Sequence, residues 1–179
     1  EVEEAVAAAD AAIIVVSGKD GIQVGTQKAW ELCEKYNLPR MFFVTEMDID
    51  DVSYRKVVEE LTELYGKKIA PLHMPIREEG KFVGYVNIVK QAGRRYIERG
   101  QKKECPVPEY LQEYLEQYHE TLMESVAEIS EEFMDRYFAG EAFSVAEVSA
   151  ALKMNISDGS IVPVCMGSTI NIQGVANLL

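Results

Sequence analysis

Pro39-Arg40-Met41-Phe42-Phe43-Val44-Thr45-Glu46-Met47-Asp48 is a short apolar run that ends in a polar loop. Met41 to Val44 is too short for a helix and shows no apolar/polar alternation. It reads as a strand buried on both faces, the habit of parallel sheets. Upstream, Ala11 to Val16 (AAIIVV) reads the same way, and Ser17-Gly18-Lys19-Asp20-Gly21 ends it. Between the two, a helix is predicted from about Val24 to Tyr36, with Trp30, Leu32 and Cys33 among its apolar positions and Asn37 as its C-terminal cap. Downstream, Tyr54, Val57, Val58, Leu61 and Leu64 recur at helical spacing, so a second helix is predicted over about Ser53 to Tyr65, closed by Gly66. Ile69 to Ile76 is a third strand, and residues 2–9 read as the tail of a helix. Strand, helix, strand, helix, strand at these lengths defines an α/β fold.

Beyond residue 80 the pattern changes. Lys81 to Val89 (KFVGYVNIV) alternates, and Arg94 to Ile97 reads as another strand; together they predict a small antiparallel sheet. From Pro108 to about Gly140 the chain is helical, with Ser130-Glu131-Glu132 capping a second helix. Ser144 and Glu147 form a capping box that opens a third, Val145 to Lys153. Asn155 to Ser160 reads as a loop. Ile161-Val162-Pro163-Val164-Cys165 returns to the buried-strand pattern, although Pro163 donates no ladder hydrogen bond. The expected organisation is a mostly parallel core, 1–74 and 159–179, interrupted by an α+β insert over 75–158.

The totals agree with one domain plus an insert: 179 residues and 47% hydrophobic content suffice for a core. No apolar run approaches the roughly 18 residues of a membrane span. The chain begins Glu-Val-Glu-Glu without an initiator Met, so it is expected to be part of a longer protein. Cys33, Cys105 and Cys165 are scattered, which predicts reduced thiols, no disulfide partner, no metal site and a cytoplasmic protein. Net charge is -12, unevenly placed: residues 1–100 carry 17 acids and 14 bases, residues 101–179 carry 13 acids and 4 bases. The second half therefore repels nucleic-acid phosphates and suits a basic protein partner.

In an open α/β sheet, ligands bind beyond the carboxyl ends of the strands. Three such ends are Ser17 to Gly21, Thr45 to Asp48 and Gly167 to Ile170. Thr45-Glu46-Met47-Asp48 has the position and length of the Asn-Lys-x-Asp base-reading box of GTPases. An ionised Asp48 carboxylate can accept from both N1–H and the N2 amino group of guanine, a donor pair that adenine lacks.

The surrounding order resembles the translational GTPases, and elongation factor G in particular. Asp20-Gly21-Ile22-Gln23-Val24-Gly25-Thr26-Gln27, then Lys35-Tyr36-Asn37-Leu38-Pro39-Arg40, then the box, follow that family's sequence of motifs. Cys165-Met166-Gly167-Ser168-Thr169 resembles its Gly-Ser-Ala turn, which closes over the guanine. Tyr118-His119-Glu120-Thr121-Leu122-Met123-Glu124 and Met134-Asp135-Arg136-Tyr137-Phe138-Ala139-Gly140-Glu141 resemble segments of its inserted subdomain. The resemblance implies an incomplete P-loop-GTPase-type sheet with Asp48, Thr45, Glu46, Ser168 and Thr169 as nucleotide-binding positions. It also implies a longer parent that uses GTP/GDP with Mg and works on the ribosome in elongation. Two other readings stay open: a GTPase-fold ribosome-docking module that no longer binds nucleotide, and a ribosomal protection or release-type factor.

This sequence departs from the family where the chemistry is. Thr45 replaces Asn, Glu46 replaces Lys and Thr169 replaces Ala; only Asp48 and Ser168 match. Glu46 is shorter and reverses the charge, so guanine affinity is expected to fall. No Gly-x-x-x-x-Gly-Lys-[Ser/Thr] occurs: Gly18, Gly66 and Gly80 each precede a lysine, but none has a glycine five residues earlier. The Asp-x-x-Gly segment that holds magnesium is also missing, so the chain alone is expected neither to hydrolyse GTP nor to bind it tightly.

Acids at Glu109, Glu113, Glu116, Glu120, Glu124, Glu128, Glu131 and Asp135 fall on one helical face. In the resembled family this subdomain meets the basic C-terminal domain of the ribosomal stalk protein, which makes Glu113, Glu116, Glu120 and Glu124 the expected docking residues. Lys90, Arg94, Arg95, Arg99, Lys102 and Lys103 read as a charged edge strand in preference to an RNA contact. His73 and His119 read as structural.

Overall fold

A computed structural model of the chain describes residues 2–98 and 101–178. Two four-stranded sheets organise it. The first is wholly parallel and holds β1 (Ala12–Ser17), β2 (Arg40–Thr45), β8 (Val162–Met166) and β3 (Ile69–Pro71), in the spatial order β1-β2-β8-β3. The second is antiparallel and runs β4 (His73–Glu78), β5 (Lys81–Asn87), β6 (Ala92–Tyr96), β7 (Lys102–Cys105). This is the expected α/β fold with an α+β insert.

β2 and β8 are the buried centre: Phe42, Phe43 and Val44 are at most 4% exposed, and every residue of β8 is buried. Pro163 is tolerated because the pairing of β8 with β2 begins only at Val164. β1 differs from expectation. Ile14 and Val16 are buried, but Ile13 and Val15 are 52% and 60% exposed. β1 is an edge strand here, and no described element covers its outer face.

The helices α1 (Val2–Ala7), α2 (Val24–Lys35) and α3 (Tyr54–Tyr65) follow the sequence pattern. Asn37 takes a left-handed φ of 49° just past α2, and Ser53 Oγ accepts from Lys56 N–H to cap α3. Trp30 of α2 stacks on Tyr65 at 4.0 Å between ring centroids, and the buried Arg40 guanidinium lies 3.9 Å from the Trp30 ring and pairs with Glu34.

The predicted third strand, Ile69 to Ile76, is in fact two strands that belong to different sheets. Leu72 is the pivot: its N–H donates to Val164 O at 3.0 Å, and its carbonyl accepts from Ile88 N–H at 3.0 Å. A continuous apolar run conceals this handover, because both halves are buried. β7 holds Lys102 and Lys103 of the basic run read as a charged edge strand, but its bounds are not predicted by the sequence. Its sequence, Lys-Lys-Glu-Cys, carries no apolar signal and is fixed only by pairing with β6.

Helices α4 (Glu109–Ala127) and α6 (Val145–Ser157) share a core with Met74, Ile76 and Val86 of the second sheet and Ile88 just beyond β5, built on Leu115, Leu122, Val126, Val148 and Leu152, and α5 (Glu131–Phe138) packs on α4. α6 continues past Lys153 because Ile156 extends its apolar face and Asn155 Nδ2 donates to Ser125 O at 3.3 Å. It stops at Gly159, φ 80°. A 3-10 turn, Val175–Asn177, follows β8.

Candidate functional site

Parallel pairing aligns the carboxyl ends of β1, β2 and β8. Ser17 lies beside Thr45, and Val44 beside Met166. Three backbone bonds join the loops that leave these ends: Gly18 N–H to Thr45 O at 3.0 Å, Gly167 N–H to Val44 O at 2.9 Å, and Met47 N–H to Gly167 O at 3.2 Å. The last ties the loop of Asp48 directly to that of Ser168. Two glycines are required by this closeness. A Cβ on Gly18 would sit 2.7 Å from both Thr45 O and Val52 Cγ1, and one on Gly167 would sit 2.2 Å from Gln173 O.

Of the expected site residues, Ser168 is fully buried. Its N–H donates to Gln173 O at 2.8 Å, its carbonyl accepts from Gln173 N–H at 3.0 Å, and its Oγ accepts from Asn171 N–H at 3.3 Å. These bonds close a tight loop whose tip carries exposed Thr169 and Ile170. Thr45, the last residue of β2, and Asp48, on the loop beyond it, are half-buried. Glu46 adopts φ 62°, rare for a residue with a Cβ, and its carboxylate accepts from Ser17 Oγ. The Glu46 side chain therefore reaches across to the β1 loop. All five expected positions lie at or just beyond the adjoining carboxyl ends of β2 and β8, and Thr169 is the exposed one.

Sequence reasoning missed Arg77. Its guanidinium reaches from β4 to the Asp48 loop, donating from Nη2 to Met47 O at 3.0 Å and from Nη1 to Gly80 O at 2.6 Å, with Ile49 O at 3.5 Å. Burial lowers its pKa. An arginine in a strand signals nothing by itself, and its partners Met47 and Ile49 stand 30 and 28 residues earlier in the chain. A second missed tie joins the insert to the end of β8's loop: Tyr85 OH lies 3.2 Å from Asn177 Oδ1, and Lys102 Nζ donates to both.

The remaining candidates separate cleanly. Glu113, Glu116, Glu120 and Glu124 are exposed on α4, opposite buried Leu111, Leu115, Leu122 and Val126. Within the basic run, Arg94 pairs with Glu104 and Arg95 with Glu78 across the second sheet, and Lys102 and Lys103 lie on its edge strand. Arg99 lies outside the described residues. His73 is buried edge-on against Tyr85, and burial together with nearby Lys102 pushes its pKa down to about 4. His119 faces Ile88 O at 3.0 Å. All three cysteines are free thiols, and burial pushes Cys165 up to about 12. No helix among the described residues is long and apolar enough to cross a membrane.

Chemically, Asp48 brings a carboxylate with two acceptor oxygens to a loop that a backbone bond ties to the Gly167-Ser168 turn, and such a group can pair with two donors on one base edge. Triphosphate and magnesium do not fit the residues present, because the sequence contains no phosphate loop.

The chain belongs to the elongation factor Tu GTP-binding domain family, which it matches over residues 1–179. It is also similar to a protein of known crystal structure from Thermus thermophilus, with 32% identity and a TM-score of 0.89 over 99% of this chain. The chain spans 26% of that protein.

Proposed function

We propose that this chain is the guanine-reading half of an elongation-factor-G-like GTPase that acts on the ribosome in the cytoplasm during elongation. Asp48 selects the base, Ser168 and Thr169 close over it, and Thr45 and Glu46 flank it. The phosphates and Mg are held by residues outside these 179 positions. The observation that supports this most directly is the Met47 N–H to Gly167 O bond, which brings the Asp48 and Ser168 loops together as one binding edge. Asp48→Asn tests it in the intact protein. An amide presents a donor where the carboxylate accepts, so GTP affinity falls about tenfold or more while xanthosine triphosphate, which has a carbonyl at C2, binds better. Unchanged GTP and xanthosine triphosphate affinities would overturn the assignment. The chain alone binds GTP weakly; sub-micromolar binding in a titration would contradict the phosphate argument.

The bond between Ser17 Oγ and Glu46 favours a second reading, in which the domain docks on the ribosome without binding nucleotide. A carboxylate engaged there does not supply the aliphatic cover over the base that the family's lysine gives. On that reading, Thr45→Asn with Glu46→Lys leaves nucleotide affinity and ribosome association unchanged.

A further inference from the structure

We infer that Arg77 is a positioning residue for Asp48: it tethers the base-reading loop to the inserted sheet and so sets guanine selectivity. This rests on the guanine reading proposed above.

The tether has two ends, and both are anchored. At the insert end, the ladder between β4 and β5 shifts by one residue at this point, with Ile76 opposite Gly84 and Arg77 opposite Phe82, so that Val83 of β5 is the extra residue. Tyr110, near the start of α4, then holds the backbone of Arg77. Arg77 N–H donates to Tyr110 OH at 3.0 Å, and that hydroxyl donates to Arg77 O at 3.1 Å. At the loop end, the guanidinium donates to Met47 O at 3.0 Å, the carbonyl of the peptide that leads into Asp48, and lies 3.5 Å from Ile49 O. Ile49 N–H donates to Glu46 O at 3.0 Å, and buried Met47 bonds to Gly167. Asp48 thus sits in a turn whose carbonyls on both sides face one planar donor.

Only this fork matches the geometry. A lysine ammonium is a point donor on a flexible stem and does not span the same carbonyls in one plane. The tether also has a reason to exist. Glu46 holds a left-handed φ without being glycine, and such a conformation persists only where neighbours enforce it. The Glu46 to Ile49 turn is enforced from below by Gly167 and from the insert by Arg77.

The test compares GDP with inosine diphosphate on the intact protein. Inosine lacks the N2 amino group, so the ratio of the two affinities reports whether Asp48 is aimed at the base edge. The native protein prefers GDP by about tenfold, the worth of one charged hydrogen bond in a buried site. In Arg77→Met that ratio falls to within about twofold of unity, and Arg77→Lys lies between. Amide hydrogen exchange over residues 46–52 rises in parallel, a readout that needs no nucleotide. If Arg77→Met does not fold, Arg77→Lys decides the same ratio. A ratio unchanged from native in a folded Arg77 variant would overturn the tether and leave the guanine reading standing. A native protein with no preference for GDP over inosine diphosphate would overturn the guanine reading itself, and the exchange data would still decide whether Arg77 holds the loop.

Discussion

His73 begins the strand that leaves the core for the insert, and its imidazole is buried against Tyr85 with Asn87 Nδ2 at 3.3 Å from Nε2. Its folded pKa of about 4 lies below the ordinary value of 6.5. The folded state therefore binds fewer protons than the unfolded chain over that interval. The stability this neutral histidine contributes is complete above pH 6.5 and is lost as pH falls through about 4, amounting to roughly 3 kcal/mol. Urea midpoints at pH 7, 5 and 4 measure it, and His73→Gln flattens the part of the profile between pH 6.5 and 4. At this scale the sequence was informative only where a residue carries its own chemistry. Asp48 and Ser168 were marked by their match to the family's base-reading box and Gly-Ser-Ala turn, and the structure places them on loops that share a hydrogen bond. Arg77 does not stand out, because its role depends on contacts with a loop 28 to 30 residues earlier in the chain, which only the folded arrangement of the two sheets brings within reach.

Elements with local signals were legible, and those set by distant pairing were not. α3, α5 and α6 carry serine caps at Ser53, Ser130 and Ser144, and each cap hydroxyl accepts from the third residue of its helix. At α6 the box is reciprocal: Glu147 accepts from Ser144 N–H at 2.8 Å, and Arg136 of α5 donates to the same carboxylate at 2.7 Å. Ser144→Ala removes the bond to Glu147 N–H and loosens a contact shared by two helices. It lowers stability by about 1 kcal/mol, read as a shift in the urea midpoint, while Ser144→Asp retains most of it. β7 and the division of Ile69 to Ile76 had no such signature. Lys102 to Cys105 becomes a strand because β6 offers it an edge, and the apolar run breaks at Leu72 because that residue bonds to a different sheet on each side.

Over the whole molecule, charge is unevenly placed: the second sheet carries the basic residues Arg94, Arg95, Lys102 and Lys103, and the acids of residues 101–179 lie mainly on the helices beside it. The acidic excess of residues 101–179 gathers on α4 to α6, and the stripe on α4 faces outward. Glu113, Glu116, Glu120 and Glu124 stand three or four residues apart, so they repel one another slightly and add nothing to the helix itself. We propose that a basic protein domain of the ribosomal stalk kind docks on this outward acidic surface. Changing all four to Gln leaves the thermal midpoint unchanged or slightly raised, since the buried face of Leu111, Leu115, Leu122 and Val126 is untouched. The association rate with the basic domain falls about tenfold at low ionic strength, because steering scales with the field that the stripe projects. The native and substituted rates converge in about 1 M salt, where the screening length shortens to about 3 Å. Stopped-flow association across a salt series measures both, and equal rates at low salt would show that the acidic face serves solubility and not docking.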